Sequence, residues 1–257
     1  MGALRGGLLI LVSIALFFSL FVAGLFLTIS LSLDYDNVRE ELIPVLKDSS
    51  KSPVKISDTI SKDYTVMEEY CGSYSNYVVN YEGERVVIPC SVISQGKEAV
   101  IDYGIDQFVQ EVYFGNYDCS FVGCFAEYEI PFFVVSKKMQ GDFLTNFGLF
   151  LIVIAILSIL GFLASEKKSN FFILLSMLLV LSALPFLKFD WFINLAGGSL
   201  QGLLSVFFNK SFLVFKSVAI LGAVLLFIGL VSKFFRIGFD VSTIFSKRKP
   251  EKKSKKK

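Results

Sequence analysis

Twenty-eight consecutive positions between Arg5 and Asp34 carry no charged side chain. As an α-helix at 1.5 Å per residue, such a stretch reaches about 42 Å, longer than the roughly 30 Å hydrocarbon core of a bilayer. Three more uncharged stretches follow. Phe143–Ser165 has 23 residues, Ser169–Leu187 has 19 and Ser217–Ser232 has 16. The last can be lengthened by Phe212–Phe215 with Lys216 snorkelling. Composition agrees: the chain is 54% AVILMFWYC and 19% charged, against about 45–50% and about 25% in soluble domains. A protein with four membrane-spanning helices is expected.

The first stretch has rival readings. Arg5 gives a short basic start and Val22-Ala23-Gly24 a tolerable cleavage site, as in a signal peptide. The apolar run far exceeds a signal core of about 7–15 residues, however, and continues through Leu25, Phe26, Leu27 and Ile29, so a retained anchor is expected. Arg5-Gly6-Gly7 suggests a prepilin-type cut, but no acidic residue follows within the run and three later spans do not suit a pilin. Met1-Gly2 fails as a myristoylation signal because Gly6 stands where Ser or Thr is wanted. Glu166-Lys167-Lys168 is too short a link for anything but an antiparallel helical hairpin. Pro185 falls at the end of the third span, where a lost backbone bond is tolerated.

Charge sets the orientation. With the N-terminus inside, the inner segments hold Arg5, Lys167, Lys168, Lys233, Arg236 and the tail Lys247–Lys257, 13 basic residues against three acidic, a net of +10. The loop Asp34–Asp142 holds nine basic against 19 acidic residues, a net of −10. Basic residues beside short loops stay inside, so both termini are expected in the cytoplasm and residues 34–142 outside it. Histidine is absent, which removes His triads, His metal sites and imidazole pH switches.

Trp191–Asn209 is also uncharged. Asn194, Gly198, Gln201, Ser205 and Asn209 share one helical face, with Phe192, Leu195, Leu203, Val206 and Phe207 largely elsewhere. A fifth crossing would carry the basic tail outside. Residues 189–210 are therefore expected to form an interfacial amphipathic helix, with Trp191 at headgroup level. A re-entrant segment turning at Gly197-Gly198 is the alternative.

All ten tyrosines and all four cysteines lie between Asp34 and Asp142. An even number of cysteines outside the cytoplasm reads as two disulfides. Tyr74–Tyr81 and Glu84–Ile88 read as strands joined across Glu82-Gly83, a hairpin that brings Cys71 and Cys90 nearly into register. Cys119 then pairs with Cys124. Four thiolates could hold zinc, but the long Cys71–Cys90 spacing offers no second knuckle. A helix capped by Asp36 or Asn37 carries the stripe Val38, Leu42, Val45 and Leu46, and Lys51-Ser52-Pro53 breaks it. Further helices are expected from Ser57 towards Tyr70 and from Lys97 to Phe114, the latter with Ile101, Ile105, Phe108, Val109 and Val112 on one side. Phe125–Val135 reads as a terminal strand, with Pro131 marking an edge.

Carboxylates are the remaining candidates for chemistry. Asp102 with Asp106, Glu127 with Glu129, and Asp34 with Asp36 could each act as an acid–base pair or hold a cation. None has EF-hand spacing, and a solvated acidic surface is the preferred reading. No charge lies in the middle of a span, which disfavours proton-coupled transport. Small residues recur at Ala15, Ser19 and Ala23 and at Ala219 and Ala223, and these permit close helix approach. Packing within the bundle is preferred to a homodimer seam, which stays open. Asn209-Lys210-Ser211 is a glycosylation sequon close to the bilayer surface.

The fold expected is an α-helical integral membrane protein, a four-span bundle with a small α+β disulfide-linked extracytoplasmic domain between the first and second spans. Its parts are 1–33, 34–142, 143–165, 169–187, 189–210, 212–235 and a disordered basic tail, 236–257. Lys167, Lys168, Lys247, Arg248, Lys249, Lys252 and Lys253 are expected to fix topology and meet anionic lipid headgroups. Nucleic acid is disfavoured as a partner, and no cofactor or metal is expected. In layout the chain resembles the permease-like subunits of mechanotransmitting ABC systems, although those have a substantial N-terminal cytoplasmic helix and only Met1–Gly6 precede the span here. Tetraspanins also have four spans, but their large loop lies between the third and fourth. Layout does not establish function. A non-enzymatic membrane protein whose outer domain binds a protein partner or ligand is expected. The alternative is a subunit of a transport or envelope complex, and an enzyme using outer carboxylates ranks last.

Overall fold

A computed structural model describes residues 2–47, 56–81, 84–118, 123, 132–166, 168–189 and 204–247. In chain order its elements are α1 (Gly2–Ser32), α2 (Tyr35–Lys47), α3 (Ile56–Tyr70), β1 (Asn76–Tyr81), β2 (Glu84–Pro89), α4 (Cys90–Ile93) and α5 (Lys97–Phe114). A 3₁₀ turn (Phe132–Val135) leads into α6 (Lys137–Ala164), followed by α7 (Lys168–Ala183), a second 3₁₀ turn (Leu184–Lys188) and α8 (Ser211–Lys247). Two compact units result. One comprises Met1–Val22, Phe150–Leu184 and Phe215–Lys257, and the other Ala23–Leu149 and Pro185–Val214.

Four helical stretches among the described residues are long and apolar enough to cross a membrane: Arg5–Ser32, Lys137–Ala164, Lys168–Lys188 and Leu204–Phe235. Their side chains are mostly not covered by protein. Only 6% of the most apolar window of α6 is buried, leaving Leu151, Ile152, Ile156, Ile159 and Leu163 exposed. A soluble monomer rarely exposes so much contiguous apolar surface. These faces suggest insertion into lipid.

The first unit packs through glycine. A Cβ at Gly222 would lie 2.9 Å from Val180 Cγ2, and one at Gly229 would lie 3.2 Å from the backbone nitrogen of Ile173. The Ser176 hydroxyl donates to the Gly222 carbonyl at 2.9 Å, a buried bond between α7 and α8. Of the small-residue seam expected at Ala219 and Ala223, Ala219 is half-buried and the correction falls on Ala223. Ala223 is exposed, and the close approach is made at Gly222 and Gly229. On α1 the expected small face is used, with Ser19 and Ala23 buried.

The tail differs from expectation as well. α8 continues through Lys247, so residues 236–247 of the expected disordered segment are helical. Ile237, Phe239, Val241, Ile244 and Phe245 keep this stretch apolar enough to extend a helix, and the basic cluster begins only at Lys247.

The second unit is built around α5, which buries Val100, Ile101, Gly104, Ile105, Phe108, Val109, Val112 and Tyr113. Against it pack α2, α3, α4, β2 and the first 3₁₀ turn. α2 presents Val38, Leu42 and Leu46. It begins at Tyr35, with the Val38 amide donating to the Asp34 carbonyl at 2.9 Å, slightly before the cap expected at Asp36 or Asn37. β1 and β2 pair antiparallel from Asn76↔Pro89 to Tyr81↔Glu84. Alternation sends Val86 and Ile88 inward and leaves Val78 and Val87 exposed. The expected strand Phe125–Val135 is corrected over Phe132–Val135, which form a 3₁₀ turn with Phe133, Val134 and Val135 buried. A short, wholly buried apolar run reads alike as strand or helical turn, because no exposed face supplies a period. Residues 125–131 lie outside the described residues.

Leu204–Phe208 are helical, and Val206 and Phe207 join the core of this unit. Their apolar face meets protein, where the reading of 189–210 as an interfacial helix had given it to lipid. Residues 190–203 lie outside the described residues.

Cys71 and Cys90 form a disulfide, with Cα atoms 5.5 Å apart. It ties the end of α3 to the start of α4 across the hairpin, whose pairing continues in a Cys90 amide to Ser75 carbonyl bond of 2.9 Å.

Two outcomes follow for stability. Gly222→Val should lower the thermal midpoint in mild detergent by the equivalent of about 1–3 kcal/mol, from overpacking. Ala223→Val should leave it unchanged, and equal effects would contradict this packing. Replacing Cys71 and Cys90 by serine should cost about 3 kcal/mol on the chain-entropy scale for a loop of roughly 20 residues, read as a drop in denaturation midpoint that reductant reproduces in the wild type.

Candidate functional site

Two of the candidate carboxylates pair with cations on a neighbouring helix. Asp106 accepts from the Arg39 guanidinium at 2.5 Å, and Asp102 meets Lys47 Nζ at 2.5 Å. The i, i+4 spacing on α5 matches two cations spaced by eight residues on α2, so the acidic pair clamps one helix to the other. Both pairs are substantially exposed, and such pairs contribute about 0–1 kcal/mol each. Asp34 and Asp36 are exposed at the start of α2, and Glu127 and Glu129 lie outside the described residues. Among the described residues no group of three or more Cys, Asp or Glu side chains could hold a metal. The four-thiolate zinc alternative fails because Cys71 and Cys90 are consumed by their disulfide. Cys119 and Cys124 lie outside the described residues.

The basic residues expected at headgroup level are placed as follows. Lys168 opens α7, with Nζ bonded to the Phe162 carbonyl at 2.5 Å and 4.5 Å from the centroid of the Phe162 ring. It thereby satisfies a carbonyl at the C-terminal end of α6, where a cation also suits the helix dipole. Lys247 is the last residue of α8. Lys167, Arg248, Lys249, Lys252 and Lys253 lie outside the described residues. In the sequon, the Asn209 amide donates to Glu41 Oε1 at 2.9 Å and Ser211 is buried, so the acceptor is already held by protein.

A feature that sequence reasoning missed lies within the second unit, where α1 ends and α6 begins. The Tyr113 hydroxyl is 3.0 Å from both the Leu33 carbonyl and Gln140 Oε1. Gln140 Nε2 donates to the Ser30 carbonyl, and the Ser30 hydroxyl donates to the Gln140 carbonyl, each at 3.3 Å. The Lys210 amide donates to the Ser32 hydroxyl at 3.1 Å. Tyr35, Tyr113 and Phe114 pack ring on ring beside this network, with centroids 4.9–5.2 Å apart. The end of α1, the end of α5 and the start of α6 are thus joined by one polar and aromatic junction. Burial, followed by the charge of Asp34, raises the Tyr113 phenol above its ordinary value. Burial is also the main cause of a raised Tyr35.

The exposed surface of this unit carries a second aromatic group. Tyr70 and Tyr74 stack at 4.3 Å between centroids with an interplanar angle of 16°, and Tyr77 meets Tyr70 edge-on at 5.3 Å. Tyr70 is 41% and Tyr74 59% exposed. The turn that bears them is fixed on one side by Tyr74 and Ser73 amides bonded to the Tyr70 carbonyl, and on the other by the Cys71–Cys90 disulfide. Tyrosine offers a large, amphipathic contact area with few rotatable bonds, so a pre-stacked exposed cluster can bind without much ordering cost. Sequence supplied a signal in the run Tyr70, Tyr74 and Tyr77, whose spacing alone did not separate core from surface.

No protein-family model, curated protein or solved structure matches this chain.

Tyr113 gives a pH test. A phenol whose folded-state pKa is raised contributes fully below its unfolded value near 10, and its contribution is lost as pH rises towards the folded value. Unfolding of the wild type should therefore show a steeper loss of stability above about pH 10 than that of Tyr113→Phe. Parallel curves would contradict the assignment.

Proposed function

We propose that this chain is a non-enzymatic multi-pass membrane protein whose disulfide-linked outer domain, residues 34–142, binds a protein partner through the Tyr70–Tyr74–Tyr77 surface. The observation that carries the reading is that cluster, with Tyr70 and Tyr74 exposed and already stacked and Tyr77 edge-on beneath them against the core, on a turn held by the Cys71–Cys90 disulfide. Binding surfaces concentrate energy in tyrosine-rich patches of this kind. The net charge of −10 over residues 34–142 favours a partner with a basic contact face, which it would attract by long-range steering. The apolar helices serve as anchor. Their basic flanks support an orientation with both termini in the cytoplasm and the tail Lys247–Lys257 against anionic lipid. Membership of a larger transport or envelope complex would use the same surface for docking.

A photo-crosslinking residue at Tyr74 tests this reading in intact cells. It should give one discrete adduct that Tyr70→Ala reduces about tenfold or more, the loss expected for a hot-spot side chain. The same probe at Glu98, exposed on α5, should give none. Identical adducts from both positions, or no adduct at Tyr74, would overturn the proposal.

A further inference from the structure

The first unit contains an open cleft of about 540 Å³ where the start of α1 meets the turn between α6 and α7. That volume falls within the roughly 300–1,000 Å³ of small-molecule sites. Its lining is divided by polarity. Arg5, Glu166 and Asn170 supply the polar part, and Leu9 and Phe171 the apolar part. Gly6 also lines it, and a Cβ added there would meet nothing within 4 Å. Among the described residues, neither Arg5 nor Glu166 is in an ion pair.

We propose that this cleft binds the headgroup of an aminophospholipid, a lipid carrying both a phosphate and a primary ammonium. The inference rests on the reading that the four apolar helices cross a membrane. Arg5 offers a fork of N–H donors suited to phosphate oxygens, and the Asn170 amide adds neutral donors. Glu166 can only accept when ionised, and a primary ammonium supplies the N–H groups it requires. The opposite charges make the lining neutral overall, which matches a zwitterionic headgroup. A lipid with a phosphate but no amine would leave the Glu166 carboxylate facing an anion. A choline headgroup has no N–H to donate. The first mismatch leaves a charge unpaired, and the second leaves the carboxylate beside a cation that cannot donate a hydrogen bond. Leu9 and Phe171 receive the glycerol and the first acyl carbons. The lining thus combines polar and apolar side chains, and this is the polarity of a lipid rather than of a soluble phosphate.

The test is native mass spectrometry of the full chain in mild detergent, titrated with phosphatidylethanolamine, phosphatidylcholine and phosphatidylglycerol of identical acyl chains. One phosphatidylethanolamine should bind about tenfold more tightly than either competitor, a difference of about 1.4 kcal/mol. Gly6→Leu, which adds bulk to the lining at a position where a Cβ meets nothing within 4 Å, and Arg5→Ala should each lower that binding at least about tenfold. Glu166→Gln should remove the preference over phosphatidylcholine while retaining binding of that lipid. Glycerophosphoethanolamine, which lacks acyl chains, should compete poorly. Equal binding of the three lipids, indifference to Gly6→Leu and Arg5→Ala at an unchanged thermal midpoint, or full competition by the free headgroup would overturn the proposal. Alkaline carbonate extraction of membranes separates the two readings. A chain released by carbonate overturns membrane insertion itself, whereas a retained chain with no lipid preference overturns only the cleft assignment.

Discussion

Long helical stretches without charge confine every group that needs water to the segments between them. In this chain that leaves 109 residues, Asp34–Asp142, to carry nearly all the acidic side chains, every tyrosine and every cysteine. A segment of that size buries a modest share of its surface, and its organisation answers that shortage. One helix, α5, presents apolar residues to partners on several sides, and a disulfide removes conformational freedom from the hairpin that covers it. Segments from elsewhere in the chain enlarge the core, notably Leu33 and the pair Val206 and Phe207.

The junction around Tyr113 and Gln140 is the counterpart of that arrangement. Where α1 ends and α6 begins, backbone carbonyls at Ser30 and Leu33 are met by side-chain donors. The Ser32 hydroxyl receives the Lys210 amide in the same way. Helix ends leave unsatisfied backbone groups, and burying them without partners would be costly. The junction therefore ties the end of α1, the end of α5 and the start of α6 to one another. The Tyr70–Tyr74 stack is held locally by the Cys71–Cys90 disulfide, and a binding surface held in place gives up less entropy on association.

Much of this was legible in the sequence wherever a single periodic signal decided the outcome. The stripe from Ile101 to Val112 marked α5 at its observed ends, Lys97 and Phe114. The hairpin register brought Cys71 and Cys90 together as expected. Features set by tertiary geometry were not legible. Nothing local indicates that Asp102 and Asp106 find Lys47 and Arg39, because the match exists only once α2 lies along α5. Small-residue spacing pointed to Ala219 and Ala223, but backbone approach requires the missing Cβ at Gly222 and Gly229. The apolar face of Leu204–Phe208 had the right pattern and a different environment, since a protein core and a lipid surface accept the same side chains.

Charge divides the chain into an acidic segment, residues 34–142, and basic segments, with apolar helices between them, and the proposed topology places the first outside the cytoplasm and the others within it. Labelling of native lysines with a membrane-impermeant amine reagent, mapped by peptide mass spectrometry, tests it directly. Lys62 and Lys97, exposed on α3 and α5, should label in intact cells, while Lys233 and the lysines of the tail should label only after permeabilisation. Tail lysines labelled in intact cells with Lys62 and Lys97 silent would contradict the account.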